Sequence, residues 1–235
     1  MFEKERCKDL DLAWKEVLDP FELPYFHMVD CAPGNPPFDK LSRDQRVAVE
    51  TEMIALIRSH ALFGAAVAIN ENDFYEFFPA PSPMGDAYSY CCWLILAGIS
   101  GWIRRNYFDG KIGYFFEAGH KYQPQANALM ARIFNHPDLR HEHRYATHAF
   151  VTKEGARPIQ TADILAWQHA SDIKKRIAGK PRRADFSALI DGQPWEMKLV
   201  GRNELLLARQ QLDSLLTGRI QITGMFGSQH FLSAT

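Results

Sequence analysis

Three carboxylates in this 235-residue chain stand where an acid is more than part of a solvated face. Glu117 follows directly on the run Ile112 to Phe116 and is trailed by Ala118, Gly119, His120 and Lys121. A carboxylate at the C-terminal tip of a strand lies in the crevice where α/β sheets bind ligands. Asp163 sits between apolar neighbours in the first turns of a predicted helix. A charge there is costly unless it is paired, bound to a cation or turned to a cleft. Asp30 closes the run Phe26-His27-Met28-Val29-Asp30. Plainer roles stay open on spacing alone: Asp163 could complement the helix dipole, and Glu117 could pair with Lys121. His27, His120 and His148 read as hydrogen-bonded core or rim residues, since no two of them have the spacing of a helical zinc site. No serine or cysteine lies in a nucleophile elbow, so nothing points to covalent catalysis.

The elements that must position these acids follow from periodicity. Leu10, Ala13, Trp14, Val17 and Leu18 have helical spacing, and Pro20 and Pro24 end that helix. Tyr25 to Val29 is a short strand candidate, and residues 30–38, rich in Pro, Gly and Asn, form a loop. Ser42 caps a helix running to about His60, with Val47, Met53, Ile54 and Ile57 as its apolar positions. Gly64 to Ile69 has the length and composition of a buried strand. A Pro-rich breaker, residues 79–85, leads into the charge-free stretch Ala87 to Ile103. That stretch is shorter than the roughly 20 apolar residues of a membrane span and carries Tyr88, Ser89, Tyr90 and Ser100, so it reads as a buried helix. Strands follow at Ile112 to Phe116 and Tyr145 to Val151, with helices at Gln125 to Phe134 and Ile159 to Ile177. From Pro181 the pattern suggests a strand pair and a helix over Glu204 to Leu216. This alternation predicts an α/β domain with the strands near 64–69, 112–116 and 145–151 in one sheet and Ala87 to Ile103 packed across it.

Composition sets outer limits. Hydrophobic residues are 46% and charged residues 23% of the chain, the balance of a globular protein. The length suits a single domain over 1–235, with an N-terminal portion 1–62, a core portion 63–178 and an extension 179–235. The net charge of −1 gives no bulk field for nucleic acid, so such a partner would need a local basic patch. Lys121, Lys174, Lys175 and Arg176 are candidates for phosphate contact. The four cysteines, Cys7, Cys31, Cys91 and Cys92, include no C-x-x-C spacing and predict reduced thiols in a cytoplasmic protein. The N-terminus is charged from its third residue, unlike a secretory signal.

Four segments in order carry a resemblance. They are Tyr25-Phe26-His27-Met28-Val29-Asp30, Ala87-Tyr88, Phe116-Glu117-Ala118-Gly119-His120-Lys121 and Ile159-Gln160-Thr161-Ala162-Asp163-Ile164-Leu165-Ala166. Together they resemble the signatures of domain-of-unknown-function family 3800 (DUF3800), over about Trp14 to Arg176. The resemblance implies a ribonuclease H-like mixed sheet flanked by helices, with metal-binding acids on the first strand, the fourth strand and the last core helix. Glu117 fits the strand position and Asp163 the helix position, as catalytic ligands of Mg²⁺ or Mn²⁺, hard cations that prefer carboxylate oxygens. Two such cations about 4 Å apart could activate water and stabilise the leaving oxygen of a phosphodiester. His27, Asp30, His120 and Lys121 would then be supporting or substrate-contacting residues. The family's opening Asp-Glu-Ser-Gly strand has no counterpart here. The resemblance therefore implies a copy cut short at its N-terminus, without the central first strand or its carboxylate. The expectation is a metal-dependent nuclease or phosphoryl-transfer enzyme with little activity in this form, or else a non-catalytic binding or remnant protein. The first reading requires the Glu117 and Asp163 carboxylates to approach within about 8 Å.

Overall fold

The computed structural model describes residues 1–217. It begins with α1 (Lys4–Leu18), α2 (Met28–Cys31), α3 (Arg43–His60), β1 (Ala65–Ile69), α4 (Glu71–Phe77) and α5 (Ala87–Arg105). Next come β2 (Ile112–Glu117), α6 (Gln123–Asn135), α7 (Pro137–Glu142) and β3 (Tyr145–Val151). The described chain closes with α8 (Ile159–Ile177), α9 (Ala184–Ile190), β4 (Glu196–Val200) and α10 (Arg202–Leu216). The fold is mixed α/β, and it divides into two compact units.

The strands do not share one sheet. β1 pairs with β4 in parallel, from Ala65 opposite Glu196 to Ile69 opposite Val200. β2 pairs separately with β3. The Ile112 N–H donates to the Arg144 carbonyl at one end and the Ala118 N–H to the Val151 carbonyl at the other, so this pair is parallel too. Periodicity marks where a strand lies but carries no information about its partner, and β1 finds its partner in a segment 131 residues further on.

The first unit comprises Met1–Gly64, Phe115–Gly119 and His148–Trp195. Leu10, Trp14 and Leu18 of α1 are buried with Val49, Met53, Ile54 and Ile57 of α3, while Val47 points to solvent. Ser42 and Gln45 form a reciprocal capping box at the start of α3. Ile164, Leu165 and Ile173 of α8 and Phe186 and Leu189 of α9 are buried in the same unit. Arg58 of α3 donates to the carbonyls of Ala188 and Asp191 at 2.6 and 2.9 Å, satisfying the end of α9. The strand candidate at Tyr25 to Val29 is instead an extended segment followed by the single turn of α2. Its amides have no ladder: Phe26 N–H donates to Gln160 Oε1 and Met28 N–H to Asp163 Oδ2, both side chains of α8. The strand pair expected after Pro181 is one helix, α9, and one strand, β4.

The second unit comprises Ala65–Tyr114, His120–Thr147 and the chain from Glu196. Its centre holds Phe74, Phe78, Ala87, Tyr90, Val200, Leu205 and Leu212. The charge-free stretch is α5, which packs on β1 and buries Tyr90, Leu96 and Ile103. Asp86 caps it by accepting from Ser89 N–H at 2.7 Å. No described helix is long and apolar enough to cross a membrane.

Candidate functional site

Glu117 is the last residue of β2 and Lys153 lies two residues beyond β3, so both stand at the carboxyl ends of a parallel pair. Parallel sheets open there, because each strand must leave the ladder in a different direction. Gly119 follows with φ +84°, a conformation that turns the chain away from β2 at little cost only for glycine. After β3, Gly155 N–H donates to Thr152 Oγ1 at 3.0 Å, closing a turn around Lys153. The carbonyl of Lys153 accepts from Gln160 Nε2 at 2.7 Å. Gln160 is fully buried, and its Oε1 accepts from both Trp14 Nε1 and Phe26 N at 2.8 and 2.7 Å. One side chain of α8 thus ties α1, the segment before α2 and the turn after β3.

Asp163 projects one turn further along α8. Its Oδ1 lies 3.4 Å from His27 Nε2 and 3.8 Å from Lys153 Nζ, and its Oδ2 accepts from Met28 N–H at 3.1 Å. His27 Nδ1 lies 2.8 Å from Asp30 Oδ2. Lys153 Nζ is also 3.4 Å from Glu117 Oε1. The Glu117 and Asp163 oxygens are therefore no farther apart than these two lysine contacts laid end to end, inside the expected 8 Å or so. Lys153 is the more enclosed partner, its side chain 11% exposed against 48% for Glu117.

His27, Glu117 and Lys153 border an open cavity of about 320 Å³ whose walls also include Tyr25, Thr152 and Glu154. That volume is at the lower end for a small-molecule site. Asp30, Glu117 and Asp163 face one ammonium and one imidazole, so carboxylates outnumber fixed cations. His27 thus sits between two carboxylates, with Nδ1 toward Asp30 and Nε2 toward Asp163.

Of the residues singled out from sequence, Glu117, Asp163, His27 and Asp30 meet here, all within the first unit. Glu117 pairs with Lys153, and Lys121 lies instead over the Tyr122 ring. His120 and Lys121 belong to the second unit, where His120 stacks on Tyr88. Lys174, Lys175 and Arg176 end α8. Lys153 and Gln160 escaped the sequence reading. Lys153 carried the same signal as Glu117, a charge just past a strand, and Gln160 is a polar residue on an apolar helix face.

The first unit holds another acid pair, away from the cavity lining. Glu50 of α3 accepts from Gln168 Nε2 at 2.7 Å. Burial, and then the neighbouring Asp185 carboxyl, push Glu50 up to about 7. All four cysteines are free thiols, and burial pushes those of Cys31 and Cys92 up to about 12, away from reactivity.

No protein-family model, curated protein or solved structure matches this chain.

Proposed function

We propose that the first unit carries a divalent-cation-dependent phosphodiester hydrolase site, a nuclease or a related phosphoryl-transfer centre on a ribonuclease H-like scaffold of the DUF3800 kind. The observation that carries it is the meeting of Glu117 and Asp163 on Lys153, at the carboxyl ends of β2 and β3, with carboxylates in excess. Two carboxylates suit Mg²⁺ or Mn²⁺, which keep several waters and take further oxygens from a substrate phosphate. When bound, such an ion supplies Lewis-acid stabilisation of charge on phosphoryl oxygens. The chain's own residues divide the remaining work. Lys153 neutralises a phosphate oxygen, and its carbonyl is held by Gln160, which fixes the base of its side chain. Asp30 orients His27 through Nδ1, leaving Nε2 to hold or pass a proton at the cavity wall.

One observation favours a rival, a binding or remnant protein without turnover. Lys153 already contacts both acids, and a lysine there is also a self-contained ion pair. Cleavage of single- and double-stranded DNA and RNA, with and without chelator, separates the two. Slow, cation-dependent cleavage is expected, falling by about 100-fold or more in Glu117→Gln and Asp163→Asn, since even partners of a ligand are worth 10- to 100-fold. Lys153→Ala should bind Mn²⁺ more tightly, because ammonium and cation compete for the same oxygens, yet cleave more slowly. Cleavage that survives chelator, or both acid variants, rules out the cation mechanism. No cleavage together with no Mn²⁺ binding leaves the rival standing.

A further inference from the structure

We infer that the second unit carries a base-stacking platform, Tyr88–His120–Tyr122 with Lys121 beside it, that takes unpaired bases of a single-stranded nucleic acid. Tyr88, in the first turn of α5, lies 4.9 Å from His120 at 27° and 5.6 Å from Tyr122 at 18°, both stacked geometries. His120 and Tyr122 complete the trio at 5.4 Å. Ring clusters of this kind usually belong to cores, where their large apolar area is removed from water. Here His120 is exposed and Tyr88 and Tyr122 are half-buried. The unit's core rings, Phe74, Phe78 and Tyr90, are buried and meet one another at tilted angles.

The platform is held in shape before any ligand arrives. His120 Nδ1 accepts from Tyr122 N–H at 3.2 Å, and Gln123 N–H donates to the His120 carbonyl at 2.9 Å. Tyr122 Oη donates to Glu71 Oε1 at 3.3 Å. Rings fixed in this way lose little freedom on binding. Lys121 Nζ lies 4.6 Å from the centre of the Tyr122 ring and is solvent-exposed, within reach of a phosphate attached to whatever stacks there. Aromatic rings beside an exposed cation match a nucleotide, with base on ring and phosphate on ammonium. An aromatic peptide without a carboxylate would satisfy the rings but leave the ammonium unused. The identity of the strand as a substrate rests on the phosphodiester reading of the first unit, whereas the binding itself does not.

The test is fluorescence anisotropy with a labelled oligothymidylate of about ten bases, in chelator and on a Glu117→Gln background, so that cleavage and cation binding play no part. His120→Ala should weaken binding by about 5- to 100-fold, the equivalent of one base stack. His120→Trp should bind at least as well as the parent, which separates stacking from folding defects. Lys121→Ala should lower the salt dependence by about one phosphate contact. An abasic oligomer of equal length should bind as weakly as His120→Ala. Thymidine monophosphate should displace the oligomer about tenfold less well than unlabelled oligomer does. Equal affinity of the abasic and base-bearing strands, or no loss in His120→Ala, overturns the platform. Equal displacement by the mononucleotide overturns the single-strand assignment. Because no readout involves turnover, a failed platform leaves the cation site untouched, and a failed cation site leaves the platform intact.

Discussion

In the first unit α8 carries buried polar side chains: Gln160 is fully buried and makes three hydrogen bonds, and Gln168 and Asp172 are buried along the same helix. In the second unit the centre is a set of rings, with Phe74 at 5.3 Å from Phe78 and 5.5 Å from Tyr90. Among its described buried residues, Ser100 Oγ lies 2.9 Å from His143 Nδ1 and Tyr114 Oη donates to the His143 carbonyl at 2.7 Å. Hydrogen bonds are directional, so a buried amide specifies where its neighbours stand, whereas apolar contact is nearly indifferent to orientation. Glu117, Lys153, Asp163 and His27 meet in the unit that carries these buried amides. A buried hydrogen bond itself adds little net stability, since each polar group must first leave water.

The largest effect should come from the ring core. Phe74→Ala removes a fully buried side chain, at a cost of about 3–5 kcal/mol, or roughly 10 °C of thermal midpoint. A cost below about 1 kcal/mol in urea titration would show that the ring core does not hold this unit together. Gln160→Ala should follow at about 2–4 kcal/mol, because Trp14 Nε1–H and Phe26 N–H lose their acceptor without gaining water. Gln160→Glu keeps that acceptor but not the donor to the Lys153 carbonyl. It buries a charge against the Lys153 carbonyl, so it should lower the thermal midpoint at least as far as Gln160→Ala and alter Mn²⁺ binding as well.

Titration should set the two units on opposite limbs of the stability profile. Folded Glu50 holds its proton up to about pH 7 against an ordinary 4.5, because burial and Asp185 disfavour its charge. The folded state thus binds more protons than the unfolded one in that window. The contribution is complete below pH 4.5 and lost as pH rises through about 7. Glu50→Gln should remove that decline and stabilise the protein at pH 8 by about 1–2 kcal/mol. His143 runs the other way: burial, and then Arg104, press it down to about 4, so its contribution is complete above pH 6.5 and lost as pH falls through about 4. His143→Asn should flatten the acid limb alone. Thermal melts from pH 4 to pH 8 check both, and a change on the same limb in both variants contradicts the assignment. The smallest effect is Ser42→Ala, which opens the α3 capping box for about 1 kcal/mol and should be felt by hydrogen exchange in α3 before α5.

Much of the local structure was legible in the residues. Ser42 marked the start of α3, and the charge-free stretch marked α5, because caps and helical period act over a few neighbours. Tyr25 to Val29 misled, because β-rich composition describes a pleated partner surface and these amides found α8 side chains instead. Glu117 and Asp163 declared themselves by position, as charges at a strand tip and on an apolar helix face. Their meeting on Lys153, and the contact of His27 with Asp163, came only from the fold. Glu117 and Lys121 are four residues apart, yet Glu117 pairs with Lys153 while Lys121 turns to Tyr122. Proximity between distant residues depends on which strands pair and which helix faces pack. Those choices are made by the summed burial of many side chains, and a short window of sequence holds only its own share of that sum.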